Sequence, residues 1–227
     1  MCGRFTLHAR LNLLLQQFSL EAGADIAPQI VPRYNIAPTQ NAAIVRWDVD
    51  RERRELALLR WGLVPSWAKE LAIGNRMINA RSETIAEKPS FRTAFKRRRC
   101  LVLADGYYEW QKTADGKQPF YIHRADERPF AMAGLWESWH TGQPDGVETF
   151  TIITTDACAQ TAAIHDRMPV ILDEPNYDLW LDPEFSGTAE LQALLRPYRD
   201  DEIAADPVST YVNSPRHEGP DCIAPVH

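Results

Sequence analysis

The chain has 227 residues, 44% hydrophobic and 25% charged, with a formal net charge of −6. That length and apolar content can bury a full core without disulfide or metal staples and fit one domain over residues 2–227. The acidic balance excludes a protein that coats nucleic acid through its whole surface, and no run of 18 apolar residues offers a membrane helix.

Residues 9–20 are predicted to form a helix, with Leu11, Leu14, Leu15 and Phe18 on one face. A proline-punctuated loop follows over residues 31–38, and then residues 42–47 and 55–61 read as two strands of a hairpin turned at Asp48-Val49-Asp50. The tract Trp61-Gly62-Leu63-Val64-Pro65-Ser66-Trp67 is short of periodic signal and reads as a loop. Residues 92–99 carry five cations and no acid, with Phe91 and Phe95 at helical spacing. Such a run is either a solvated helix end or a phosphate-contacting patch on an acidic body. From Cys100 the pattern is mostly strand: residues 100–104, 107–111, 120–123, 130–136 and 149–154, separated by Asp-Gly turns. The last third alternates short helices at 176–181 and 189–195 with strands at 168–172 and 208–212. There is no internal repeat. The expected fold is α+β, with a curled, largely antiparallel, barrel-like sheet core flanked by short helices.

Cys2 follows the initiator methionine directly. Removal of Met1 would leave an α-amine and a thiol on adjacent carbons, a 1,2-aminothiol that no internal residue can offer. The α-amine, with a reference pKa of about 7.7–8.0 against about 10.4 for lysine, attacks carbonyls near neutral pH without special tuning. With an aldehyde it forms an imine, and the adjacent thiol closes a five-membered thiazolidine on the imine carbon. The four cysteines, Cys2, Cys100, Cys158 and Cys222, lack CxxC spacing, which argues against a zinc site or a disulfide framework. With no leader-like N-terminal pattern, the expected setting is a reducing one: the cytoplasm of a bacterium or the nucleus of a eukaryote.

Three internal clusters carry groups that such chemistry uses. Ile78-Asn79-Ala80-Arg81-Ser82-Glu83-Thr84 sets an amide and a guanidinium two residues apart, before an expected helix. Ala104-Asp105-Gly106-Tyr107-Tyr108-Glu109-Trp110 sets Glu109 among aromatics just past a buried strand, where desolvation favours general acid–base use of a carboxyl. Ile164-His165-Asp166-Arg167-Met168-Pro169 sets an imidazole beside a carboxylate and a guanidinium. Each has a plain structural alternative: Asn79 as a helix cap, Glu109 in an ion pair, His165 as a satisfied loop histidine.

Together with Met1-Cys2-Gly3-Arg4-Phe5, Arg33-Tyr34-Asn35-Ile36-Ala37-Pro38 and the Trp61–Trp67 tract, these clusters in this order resemble the SOS-response-associated peptidase family, also described as abasic-site processing proteins. The resemblance is strongest over residues 2–181. It implies a protein that captures abasic sites in single-stranded DNA as a covalent cross-link to Cys2, with Asn79 orienting Cys2, Glu109 as proton shuttle and His165 assisting imine chemistry and reversal. It further implies Arg4 and Arg81 on phosphates and Trp67 stacked on a base. Lys88-Pro89-Ser90 departs from the family pattern ahead of Phe91 and Arg92. A strand-parting role for Phe91 is therefore the least secured, and Arg92, Lys96 and Arg167 share the expected phosphate load. The expected partner is single-stranded DNA bearing abasic sites, bound by a monomer without cofactor, metal or membrane. Two other classes remain open on the residues: an N-terminal-cysteine amidohydrolase or amidotransferase, in which the thiol attacks an amide, and a non-catalytic single-strand binding module. The peptidase in the family's name is read as at most removal of the chain's own Met1.

Overall fold

A computed structural model describes residues 2–21, 23, 25–140 and 142–226. The strands are β1 (Phe5–Leu7), β2 (Arg33–Ile36), β3 (Asn41–Asp48), β4 (Arg53–Trp61), β5 (Asn79–Arg81), β6 (Arg99–Ala104), β7 (Gly106–Thr113), β8 (Gly116–Arg124), β9 (Phe130–Trp139), β10 (Val147–Asp156), β11 (Arg167–Pro169), β12 (Ile171–Leu172) and β13 (Ile203–Pro207). Five short helices accompany them: α1 (Leu11–Gln17), α2 (Arg92–Arg97), α3 (Ala159–Ala162), α4 (Tyr177–Leu181) and α5 (Thr188–Ala193). One sheet runs β13-β8-β7-β1-β2. In the other, β4, β3, β6, β9 and β10 pair in turn, and β10 returns to β4, closing a ring. Among the described residues, only the β10 pairings with β4 and β5 are parallel. The fold is α+β with a barrel-like antiparallel core, as the strand spacing predicts.

The strands of the ring are buried on both faces, with Ile44, Leu101, Val102, Leu103, Met132 and Ile152 among the fully buried residues. β6 is buried at every position, as expected of a continuous apolar run. The first helix is shorter than its periodicity predicts. The Asp105 carboxylate takes the backbone N–H groups of His8 and Ala9 just ahead of it, and Ser19, at a φ of 53°, turns the chain out after Phe18. Leu14 and Phe18 are buried from this helix as expected, with Leu11 and Leu15 packed at the core's margin.

Two expected elements are corrected. The stretch 208–212 is not a strand: β13 ends at Pro207, which lacks an N–H for the ladder, and Ser209 Oγ then accepts the Tyr211 N–H at 3.2 Å to cap a 3₁₀ turn. The segment after Asn79 is not a full helix but one 3₁₀ turn, Ser82–Thr84.

The Trp61–Trp67 loop is held by two glycines set back to back. Gly62 sits at a φ of +122°, and a Cβ there would lie 2.6 Å from the Gly74 carbonyl oxygen; a Cβ on Gly74 would meet the Gly62 carbonyl in turn. On this geometry Gly74→Ala is expected to cost about 1–3 kcal/mol of stability by overpacking, read as an earlier midpoint in urea unfolding. An unchanged midpoint would mean that the loop yields freely.

Candidate active site and nucleic-acid interface

Cys2 is fully buried, and its carbonyl accepts the Asn79 side-chain amide at 2.8 Å. Asn79 reaches it because β5 lies beside β10, with Asn79 opposite Ile152. Asn79 is therefore a strand residue holding the N-terminal segment, not a helix cap. Its Oδ1 is buried and has no hydrogen-bond partner among the described residues. On the other side of Cys2, β7 offers Tyr107 and Glu109, two positions apart and hence on one face of the strand; Tyr107 is fully buried and Glu109 nearly so. Burial pushes the Cys2 thiol far up, and the Glu109 charge pushes it further. The same burial, with Cys2 and Glu109 near it, raises the Tyr107 hydroxyl well above its ordinary range. Both groups are thus held protonated near neutral pH. Met1, on whose removal the aminothiol depends, lies outside the described residues.

His165 follows α3 in a loop that docks on β7, where Gln111 Nε2 donates to the Ala163 carbonyl at 3.0 Å. Its Nδ1 is 3.0 Å from the Arg167 backbone N–H and 2.9 Å from Asp166 Oδ1. A neutral Nδ1 accepts the first, whereas a protonated Nδ1 donates to the second, so the ring has a defined partner in either state.

The expected DNA-contacting side chains fall into separate groups. Arg81, Arg92 and Lys96 are exposed, with no side-chain hydrogen bond or ion pair among the described residues. Trp67 is 60% exposed at the lip of an open cleft of about 460 Å³ lined also by Lys69, Ile73 and Arg76. The backbone on either side of it is fixed: Val64 N–H donates to Thr149 Oγ1 at 2.9 Å, and Trp139 Nε1 donates to the Ala68 carbonyl at 2.8 Å.

Other candidates are engaged within the protein. Phe91 is buried in the main core at 6% exposure and anchors α2, so it is no surface wedge in this conformation. Arg167 pairs with Glu83 and Asp156 and donates to the Thr154 carbonyl at 2.7 Å, which ties β11 to β10 and spends its charge internally. Arg4 is half-buried, and its Nη1 donates to Asn35 Oδ1 at 2.7 Å and the Val212 carbonyl at 3.0 Å. Of the basic run, Arg98 pairs with Glu137 and Arg99 is buried on the carbonyls of Phe95, Lys96 and Trp180. Arg92, Lys96 and Arg97 remain exposed.

Cys2 is thus buried, held through its carbonyl by Asn79 and near enough to Glu109 for that charge to act on its thiol. The family profile described as SOS response associated peptidase (SRAP) matches residues 1–215. The chain belongs to this family. Among SRAP relatives it is 43% identical over 226 residues to the abasic site processing protein YoqW of Bacillus subtilis, covering 98% of this chain and 99% of that one. It is 39% identical over 227 residues to the abasic site processing protein HMCES of Gallus gallus, covering 86% of this chain and 66% of that one. A crystal structure of a Bacteroides thetaiotaomicron protein matches it with a TM-score of 0.87 and 30% identity over 100% of both chains. The sequence reading gave Tyr107 no role; its place two residues from the buried Glu109 on the same strand face sets its hydroxyl near Cys2.

Proposed function

We propose that this SRAP protein processes abasic sites in DNA, capturing the ring-opened sugar aldehyde in single-stranded DNA as a thiazolidine on Cys2. The observation that carries the reading is the setting of Cys2: a chain-terminal aminothiol once Met1 is gone, its carbonyl held by Asn79 and its side chain packed near Glu109. The amine attacks the aldehyde carbon, a carbinolamine forms, and loss of one water leaves an imine. The thiol sulfur then adds to the imine carbon while its proton passes to the nitrogen, closing the ring. Glu109 moves protons in the first two steps, and His165, with a partner in either protonation state, serves imine formation and reversal. A thiol held protonated by burial favours amine-first attack. It disfavours the amidohydrolase alternative, which needs an activated thiolate as its first nucleophile.

The aldehyde requirement gives a direct test. An oligonucleotide with one abasic site is expected to yield a heat-stable adduct on a denaturing gel, and the same oligonucleotide reduced beforehand with borohydride is expected to yield none. Equal adduct from both would rule out carbonyl chemistry.

DNA would be held by few cations and one stacking platform. With Arg81, Arg92 and Lys96 exposed, and Arg4 and Arg167 engaged internally, the log–log slope of single-strand affinity against salt is expected near −2, at about −0.7 per phosphate contact. Arg81→Ala should flatten the slope by about 0.7, whereas Trp67→Ala should leave it unchanged and weaken binding by about 1–2 kcal/mol. Salt titrations on a lesion-free strand check both. Unchanged affinity in Trp67→Ala, or equal binding of duplex, would contradict the single-strand platform.

A further inference from the structure

The C-terminal stretch beyond β13 adds no strand to either sheet; among the described residues its ladder contact is a single bridge, Val208 to Pro225. It nevertheless folds tightly over the start of the chain. Val208, Val212 and Cys222 are fully buried against Tyr108 and Tyr121 in a cluster separate from the main core. The polar centre of this contact is Asn35, 1% exposed at the end of β2. Its amide nitrogen donates to three carbonyls of the C-terminal stretch, Val212 at 3.3 Å, Ser214 at 3.0 Å and His217 at 2.8 Å. Its oxygen takes the Arg4 guanidinium at 2.7 Å, and the same Arg4 nitrogen donates to the Val212 carbonyl at 3.0 Å. Trp110, within cation–π range of Arg4 at 5.9 Å, donates its Nε1–H to Asn213 Oδ1 at 2.7 Å.

Arg4 is two residues from Cys2. Its carbonyl accepts the Tyr108 N–H at 2.9 Å, and the Cys2 thiol points at the same carbonyl from 4.0 Å. The N-terminal segment is therefore pinned at both ends, by Asn79 at Cys2 and by the Asn35–Val212 contact at Arg4. We infer that Asn35 and the C-terminal strap over residues 208–223 form a clasp that sets the place of Cys2 through Arg4, with Asn35 as a positioning residue for the reaction at Cys2. The consequence for catalysis rests on the proposed function. The clasp itself does not, because it is a statement about what holds Cys2 in place.

The test measures both. In the full-length protein, iodoacetamide labelling of Cys2 and of Cys100, a fully buried internal control, is followed by peptide mass, alongside the rate of adduct formation at saturating abasic-site oligonucleotide and the affinity for a lesion-free strand. Asn35→Ala is expected to speed Cys2 labelling about 10-fold by local opening, to leave Cys100 labelling and strand affinity unchanged, and to slow adduct formation about 10-fold through misplacement of the reacting group. Trp110→Phe, which removes the hydrogen bond to Asn213 and trims the ring packed beside Tyr108 while keeping an aromatic face for Arg4, should move Cys2 labelling and adduct rate the same way by a smaller factor, and it decides the matter if Asn35→Ala does not fold. Cys2 labelling at the wild-type rate in the folded variants would overturn the clasp, as would a joint rise at Cys2 and Cys100. Faster Cys2 labelling with an unchanged adduct rate would overturn the positioning role. If the wild type forms no adduct at all, the proposed function fails while the labelling comparison still decides the clasp.

Discussion

Cys2→Ala is expected to abolish the heat-stable adduct altogether, and so is an N-terminal tag that keeps the Cys2 amine acylated. Thiazolidine closure needs both heteroatoms, nitrogen to make the imine and sulfur to close the ring, and each of these changes removes one. Alanine keeps the amine, so Cys2→Ala should still form an imine that borohydride traps; the tagged protein should form neither product at this residue. That split between trapped and untrapped product distinguishes loss of sulfur from loss of nitrogen. It also guards against a folding explanation, because the buried Cys2 side chain has few polar ties to lose, its thiol lying a long 4.0 Å from the Arg4 carbonyl. A heat-stable adduct of wild-type yield from either protein would contradict the aminothiol mechanism.

Glu109→Gln is expected to slow adduct formation by about 10²-fold, the usual scale for losing a positioned general acid–base group. Glutamine fills the same buried space and can still donate and accept hydrogen bonds, but it cannot titrate. Lesion-free strand affinity should stay at the wild-type value, because Glu109 is nearly buried and carries no sign of charge that attracts phosphate. A second readout follows from the Glu109 charge, which adds to burial in raising the Cys2 thiol. Removing a neighbouring negative charge favours the thiolate, so the onset of Cys2 alkylation should move to lower pH in Glu109→Gln. Parallel loss of affinity and rate would instead mark Glu109 as a structural group.

The sheet core was legible in the sequence because its signals are local. A run such as Cys100-Leu101-Val102-Leu103-Ala104 has one reading at that length, and the hairpin at Asp48-Val49-Asp50 sets its own register, seen in the pairing of Asn41 with Arg60 through Asp48 with Arg53. Elements decided by distant contacts were not. The first helix is trimmed by Asp105, and the expected strand at 208–212 yields to Pro207 and a serine cap. The family was legible through motif order, whereas the fate of the cations was not. Arg81 and Arg167 look alike in sequence, but Arg167 is bonded to Glu83 and Asp156 once β11 pairs with β10, whereas Arg81 stays exposed and acts on Glu83 through its charge alone. Phe91 reads as a surface aromatic beside basic residues, yet the packing of α2 on the core turns it inward.

The central claim is a covalent bond from the Cys2 aminothiol to a sugar aldehyde, and intact-mass measurement of the protein before and after incubation with an oligonucleotide bearing one abasic site tests it most directly. The free protein is expected at the mass of the chain lacking Met1. The adduct, heated first so that simple imines hydrolyse, is expected at that mass plus the oligonucleotide less one water, with the cross-link mapping to the peptide that begins at Cys2. An adduct on a chain that still carries Met1, or one mapping to a lysine, would contradict the account.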